Sequence, residues 1–260
     1  MHVGDTQIAM PSLSDLRLAA WQMPIDATDS SVAIDALRHQ VRRCEENGIA
    51  VLCCPEGAIG GLADYVRDPA TIAIATGDVA HRLAPINSYA VAAIVGFTEL
   101  GVDGRLYNAA AALHRGACVG IYRKRHPAIR RSIYAAGTEL PVFRRDNLTF
   151  GIVICNDSNY GEPARVMAGK GASVLFIPSN NQLPLGRAID GLTDEARACD
   201  VARATENGMW VVRADVTGRT VSHMSAGASG IVDPRGRVVA SASSFVEETL
   251  TVDLERYELA

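Results

Sequence analysis

Two rhythms alternate along the chain: short continuous apolar runs, and longer stretches in which apolar residues recur every three or four positions. "LRLAAWQMP" reads as a first strand over 17–24, closed by Pro24. In "SSVAIDALRHQVRRCEENG" (30–48), Val32, Ile34, Leu37 and Val41 fall at helical spacing, and Gly48 supplies a stop. "IAVLCCPEG" (49–57) opens with a short continuous apolar run ended by Pro55, and "AVAAIVGFTEL" (90–100) is largely apolar, the pattern of strands buried on both faces. A helix is expected within "ATIAIATGDVAHRLAPINSY". "LYNAAAALHRGACVGIYRK" (106–124) reads as a hairpin turning at "HRGA", with Gly116 in the turn. A strand ending at Cys155 leads to a helix over 164–170, with Pro163 in its first turn and Gly171 ending it. "SVLFIPSN" is the next strand. "LTDEARACDVARATENG" (192–208) is a second long helix, with Thr193 as N-cap and Asn207-Gly208 as its stop. "MWVVRADVTG", "SGIVDPRGRVVASAS" and "ETLTVDL" close the chain as strands, the middle pair turning at "DPRG". Strands alternating with helices early and hairpins later imply an α/β fold with both parallel and antiparallel pairs.

Composition narrows the class. The chain has 260 residues, 48% hydrophobic and 21% charged, the balance of a globular protein with a substantial core. A net charge of −4 gives no general attraction to nucleic acid or an anionic membrane. Six irregularly spaced cysteines, two adjacent at Cys53-Cys54, point to reduced thiols and a cytoplasmic setting rather than a disulfide framework. Adjacent strand positions face opposite ways, so Cys53 and Cys54 are expected in the core and not on one metal ion. Residues 1–15 lack the basic start and apolar core of a signal peptide and read as a flexible extension. No linker or repeat divides residues 16–260, which are expected to form one domain.

Candidate chemistry lies at three strand ends. Glu56 follows "IAVLCCP", Lys124 follows "ACVGIYR", and Cys155 ends "FGIVIC". Residues leaving the ends of neighbouring strands converge in one crevice even when far apart in sequence. There a carboxylate can take a thiol proton, and an ammonium can stabilise a thiolate and later an oxyanion. Singly, a strand-end Glu or Lys is commonly a solvated charge and a strand-end Cys is core filler. Spacing alone does not select the triad.

The segments in their order resemble the carbon–nitrogen hydrolase (nitrilase) superfamily over residues 16–254. The opening strand with its Gln, "VLCCPEGAIGG", "YNAAAALHRGACVGIYRKRHP", "GIVICNDSNYGEPARVMAGKGASVLFIPSN", "ARACDVARATENGMWVVRADVTG" and "GASGIVDPRGRVVASAS" carry the likeness. The resemblance implies a nitrilase-like αββα sandwich with mixed parallel and antiparallel sheets, usually assembled as a homo-oligomer built on a dimer. It implies Glu56 as general base, Lys124 as electrostatic stabiliser and Cys155 as nucleophile, without metal or cofactor. A tight turn at Cys155 would leave the Asn156 N–H free to share an oxyanion with Lys124. "ICND" is similar to the amidase and carbamoylase branches, whose N-carbamoyl-D-amino-acid hydrolases share Cys-Asn-Asp. A small linear amide or N-carbamoyl substrate is therefore expected. A nitrile, or binding of a metabolite without turnover, are the alternatives.

Departures from the family pattern concentrate in "KRHPAIRRSIYAAG". Where many members carry a second glutamate, this chain has Arg131 or Ser132, and the nearest acid is Glu139 beyond Gly137. Arg130 and Arg131 could grip a substrate carboxylate as guanidinium forks do; the other reading is a solvated basic loop. Glu162 is read either as an acid complementing a helix N-terminus or as a residue orienting Lys124 or substrate. Asp157 is expected to form a turn by bonding nearby backbone, and His126 to pack beneath the loop. "GEPARVMAGKGA" fails as a phosphate loop, because Ala164 stands where the first Gly is needed and Gly171 where Ser or Thr is.

Overall fold

The computed structural model describes residues 16–128, 132–188 and 191–254. In chain order it runs β1 (Arg17–Pro24), α1 (Ala33–Glu46), β2 (Val51–Cys53), β3 (Ala73–Ala75), α2 (Val79–Leu83), β4 (Ala92–Leu100), β5 (Leu106–His114), β6 (Ala117–Arg123) and β7 (Val142–Arg145). It continues with β8 (Leu148–Ile152), α3 (Gly161–Gly169), β9 (Val174–Pro178), β10 (Leu183–Pro184), α4 (Leu192–Asn207), β11 (Trp210–Ala214), β12 (Val216–Arg219), β13 (His223–Ser225), β14 (Gly230–Val232), β15 (Val238–Ser241) and β16 (Glu248–Asp253). Among the described residues these strands form two sheets. One has the order β10-β13-β12-β1-β2-β4-β5-β6, with β16 also on β1 and β3 also on β4; the other is β15-β14-β11-β9-β8-β7.

The two-residue period of a strand explains the layering. In the first sheet Leu18, Ala20, Val51, Cys53, Ile94, Ala110 and Ala112 join one core with Phe150, Ile152, Phe176 and Val212 of the second sheet. The alternate residues, Ala19, Trp21, Met23, Leu52, Val95, Phe97 and Ala111, pack instead against Leu37, Val41 and Cys44 of α1 and Val79 and Leu83 of α2. Ala164 and Met167 of α3 and Ala204 of α4 cover the second sheet. The result is an α/β sandwich of helix, sheet, sheet and helix, with mixed pairing in both sheets. Cys53 and Cys54 are fully buried on opposite faces, one in each core, as strand geometry requires.

Several boundaries differ from expectation for local reasons. The run 49–57 yields a strand of only Val51–Cys53, because the chain leaves the sheet at Pro55 and turns at Gly57 with φ +62°. Thr193 does not cap α4. The N-cap is Gly191 at φ +82°, and the Thr193 hydroxyl donates to the Gly227 carbonyl at 3.1 Å. The hairpin turns where expected, at Arg115 and Gly116, both at positive φ. No helix among the described residues is long and apolar enough to cross a membrane.

Candidate active site

Three strand exits meet over the gap between the sheets. Glu56 leaves β2, and its N–H donates to Ser179 O (3.2 Å) beyond β9, while Asn180 Nδ2 donates to Glu56 O (3.3 Å). The turn carrying Glu56 lies directly on β4 at Gly96. A β-carbon there would stand 2.3 Å from Pro55 O and 2.8 Å from Glu56 Cα, so only glycine fits. Lys124 leaves β6 with its N–H on Asn108 O (2.7 Å) and its own carbonyl accepting from Gly137 N–H (2.8 Å). Cys155 lies just past β8 at φ +45°, in a region that non-glycine residues rarely adopt, and opens a tight 3-10 turn over Cys155–Asn159. Turning the backbone there brings the sulfur to the cavity instead of the core.

The side chains form one network. Lys124 Nζ donates to Glu56 Oε1 at 2.6 Å, and Asn108 Nδ2 donates to the same oxygen at 2.7 Å. Both ends of the ion pair are almost wholly buried. Asp157 joins the lysine strand to the cysteine turn. Its carboxylate accepts from Tyr122 OH (2.7 Å), His126 N–H (2.7 Å), Arg125 N–H (3.4 Å) and Ile154 N–H (3.1 Å). The turn-forming reading of Asp157 thus extends to a clamp between two elements. Beneath it, the buried Arg213 guanidinium pairs with Asp200 (2.6 Å) and donates to Ser179 Oγ (2.6 Å) and Ser158 Oγ (2.9 Å). Ser158 Oγ in turn donates to Cys155 O (2.8 Å).

Electrostatics follow from burial and charge. Burial foremost, and then the Glu56 carboxylate, push the Cys155 thiol up to about 11, against the pull of Lys124 and Arg213. The resting sulfur is therefore protonated at neutral pH. Burial works against the Lys124 ammonium, but the neighbouring Glu56 carboxylate outweighs it and holds Lys124 above the ordinary lysine value. Lys124 stays charged. Burial also raises Asp215 to about 6, against hydrogen bonds from Asn181 and Val216 and the charge of Arg213.

The cavity above these groups has a volume of about 240 Å³. Glu56, Lys124, Cys155, Asn108, Tyr134 and Asn181 are among its walls. Glu56, Lys124 and Cys155 thus share one cavity, as the strand-end reading expects. The Asn156 side chain turns away, with Nδ2 donating to His126 O (3.0 Å). Its backbone N–H precedes the first bond of the turn, Asp157 N–H to Ile154 O, and is not consumed by it. Glu162 neither lines the cavity nor touches Lys124. It is half exposed and pairs with Arg125 at 3.4 Å, so it acts as a helix-start acid rather than an orienting group. Arg130 and Arg131 lie outside the described residues. Ser132 lines the cavity and donates to Asp64 Oδ2 (2.9 Å), which places a carboxylate from another loop on that wall. Glu139 lines a different, larger cavity of about 420 Å³, in which Arg123 pairs with Glu99 and Arg105 with Asp103. His126 stacks on Tyr160 with ring centroids 3.8 Å apart. Sequence reasoning did not single out Asn108, Asn181, Asp215 or Arg213. The only signal was a polar residue interrupting or ending an apolar strand.

The chain belongs to the carbon–nitrogen hydrolase family, whose model matches residues 17–260. It is 29% identical over 251 residues to a Pseudomonas protegens protein named a hydrolase in the pqqF 5′ region, covering 94% of this chain and 84% of that protein. It is 28% identical to the glutamine-dependent NAD(+) synthetase of Xylella fastidiosa, with 94% of this chain matching 45% of that protein. The chain therefore spans less than half the length of that relative. Among solved structures, an amidase from Nesterenkonia sp. superposes with a TM-score of 0.77 at 20% identity, over 95% of this chain and 92% of the amidase. That amidase has also been solved as a cysteine-to-alanine mutant with butyramide, and as a glutamate-to-glutamine mutant with acrylamide added at the active-site cysteine.

Proposed function

We propose that this protein hydrolyses the C–N bond of a small linear amide or N-carbamoyl compound through a thioester on Cys155. The observation that carries this reading is the meeting of Lys124 Nζ and Asn108 Nδ2 on one oxygen of Glu56, in a cavity that the Cys155 thiol also lines. Both bonds go to Oε1, so Oε2 is the oxygen available to a proton. Because the thiol rests near 11, it needs a base at neutral pH. Of the two carboxylates lining its cavity, Asp64 has both oxygens taken by Ser132 Oγ and the Ile133 N–H, and Glu56, with Oε2 open, is assigned the role.

In the proposed cycle Glu56 takes the Sγ proton as sulfur attacks the carbonyl carbon. The ammonium of Lys124 and the Asn156 N–H hold the oxyanion. Collapse breaks the C–N bond, and the leaving nitrogen takes the proton from Glu56, giving ammonia or an amine and a Cys155 thioester. Water then gives a proton to Glu56 and attacks the thioester; the acid departs and the thiol regains its proton. Butyramide, bound by the Nesterenkonia relative, is of a size that a cavity of about 240 Å³ holds. The test is ammonia release from aliphatic amides, N-carbamoyl amino acids and nitriles. Turnover of at least one amide or carbamoyl compound, abolished by Cys155→Ala, supports the reading. Turnover surviving in Cys155→Ala contradicts it.

A further inference from the structure

One buried acid beside the cavity has no part in the cycle above. Asp215 is fully buried where β11 passes into β12. Its Oδ1 accepts from the backbone N–H of Asn181 (3.0 Å) and of Val216 (2.8 Å), and its Oδ2 accepts from Asn181 Nδ2 (2.9 Å). Its own backbone is tied down as well, with the N–H donating to Ser229 Oγ (2.9 Å) and the carbonyl accepting from Met23 N–H (3.1 Å). Asn181 lines the cavity, and its Oδ1 lies 3.6 Å from Cys155 Sγ, within reach of the S–H.

The orientation of the Asn181 amide follows from chemistry. An ionised carboxylate only accepts, so the amide nitrogen must face Asp215 and the amide oxygen must face the sulfur. We propose that Asp215 is a positioning residue that locks Asn181 Oδ1 beside Cys155 as the acceptor for the N–H of the scissile amide. This inference rests on the hydrolase reading. In the resting site Oδ1 accepts the thiol hydrogen. Once that proton has gone to Glu56, Oδ1 is left without a donor, next to the carbon under attack. A carboxamide or carbamoyl nitrogen brings an N–H to it; an ester brings only an oxygen, which faces Oδ1 as acceptor to acceptor. The lock therefore selects C–N over C–O substrates.

Asp215→Asn tests this with little change in shape. Oδ1 must remain an oxygen, since two backbone N–H groups point at it. The new NH2 group then takes the place of Oδ2 and faces Asn181 Nδ2, donor against donor. The Asn181 amide must flip or withdraw, presenting a donor or nothing to the reacting centre. The measurement is kcat/KM for an amide and for the ester of the same acid, each with wild type, Asp215→Asn, Asn181→Ala and the double variant. The expected result is an amide-to-ester ratio at least tenfold lower in each single variant, and no further fall in the double variant. A hydrogen bond acting only on the N–H substrate gives this selective loss; a general loosening of the site lowers both substrates together. An unchanged ratio in Asn181→Ala overturns the proposal even if Asp215→Asn fails to fold. A wild-type protein that acylates Cys155 with neither substrate overturns the hydrolase reading, and this inference with it.

Discussion

Replacing Glu56 by Gln should damage catalysis and sharpen the cysteine. Oε1 accepts both hydrogen bonds, from Lys124 and Asn108, so a glutamine carbonyl can keep both while the negative charge disappears. That charge is one of the two causes, after burial, that raise the Cys155 thiol to about 11. Removing a like charge at close range lowers a pKa by about 1–3 units, and Lys124, relieved of its carboxylate, adds to the fall. Each unit multiplies the thiolate population about tenfold, but a less basic thiolate is a weaker nucleophile, with a Brønsted slope of about 0.4–0.5. The net gain is about 3- to 4-fold for one unit and about 30- to 60-fold for three. The assay is the second-order rate of Cys155 labelling by iodoacetamide at neutral pH, followed by peptide mass spectrometry, with Cys155→Ala as the blank. Amide turnover in the same variant should fall by at least about 100-fold, the usual contribution of a general base. Faster labelling with lost turnover is the signature. Slower labelling in Glu56→Gln would refute the claim that the carboxylate opposes the resting thiolate.

Gly96→Ala should disable the site from the neighbouring strand. Its methyl group would stand 2.3 Å from Pro55 O, and backbone cannot yield as a side-chain tip does, so the Glu56 turn must shift. A shift near 1 Å costs about 100-fold in turnover, with about 1–3 kcal/mol lost from stability; activity within threefold of wild type would contradict it. Asp215 should leave a mark on stability against pH. Its folded value of about 6 lies above the unfolded 3.8, so its contribution is full below the unfolded value and is lost as pH rises through 6. Wild type should therefore lose about 2 kcal/mol relative to Asp215→Asn between pH 4 and pH 7 in urea unfolding, and parallel curves would contradict that.

The layers were legible because strands and helices impose their periods on the sequence. Alternation within β1, β4 and β5 sends Ala20, Ile94 and Ala110 to one core and Ala19, Val95 and Ala111 to the other, and the adjacent Cys53 and Cys54 divide the same way. The three strand-end residues stood out for a related reason, since a residue ending an apolar run is placed to leave the core, but that pattern alone did not select them; the resemblance to the family did. What stayed hidden depends on pairing across distance. Asn108 meets Glu56 from 52 residues away, and Asn181 meets Asp215 from 34. In the sequence each is only a polar interruption, and which interruptions face one another depends on how the two sheets stack. Thr193 shows the converse. Its local signal suits a cap, but the hydroxyl finds Gly227 O from the neighbouring β-rich segment and leaves capping to a glycine.

The central claim is that Cys155 carries the acyl group, and intact-protein mass spectrometry reads this directly. The protein would be mixed with butyramide and quenched in acid within the first turnovers, beside Cys155→Ala. A species heavier by one butyryl group, localised to the Cys155 peptide and absent from the variant, is the result expected. Butyrate and ammonia released with no acylated protein at any quench time, or an adduct that persists in Cys155→Ala, would contradict it.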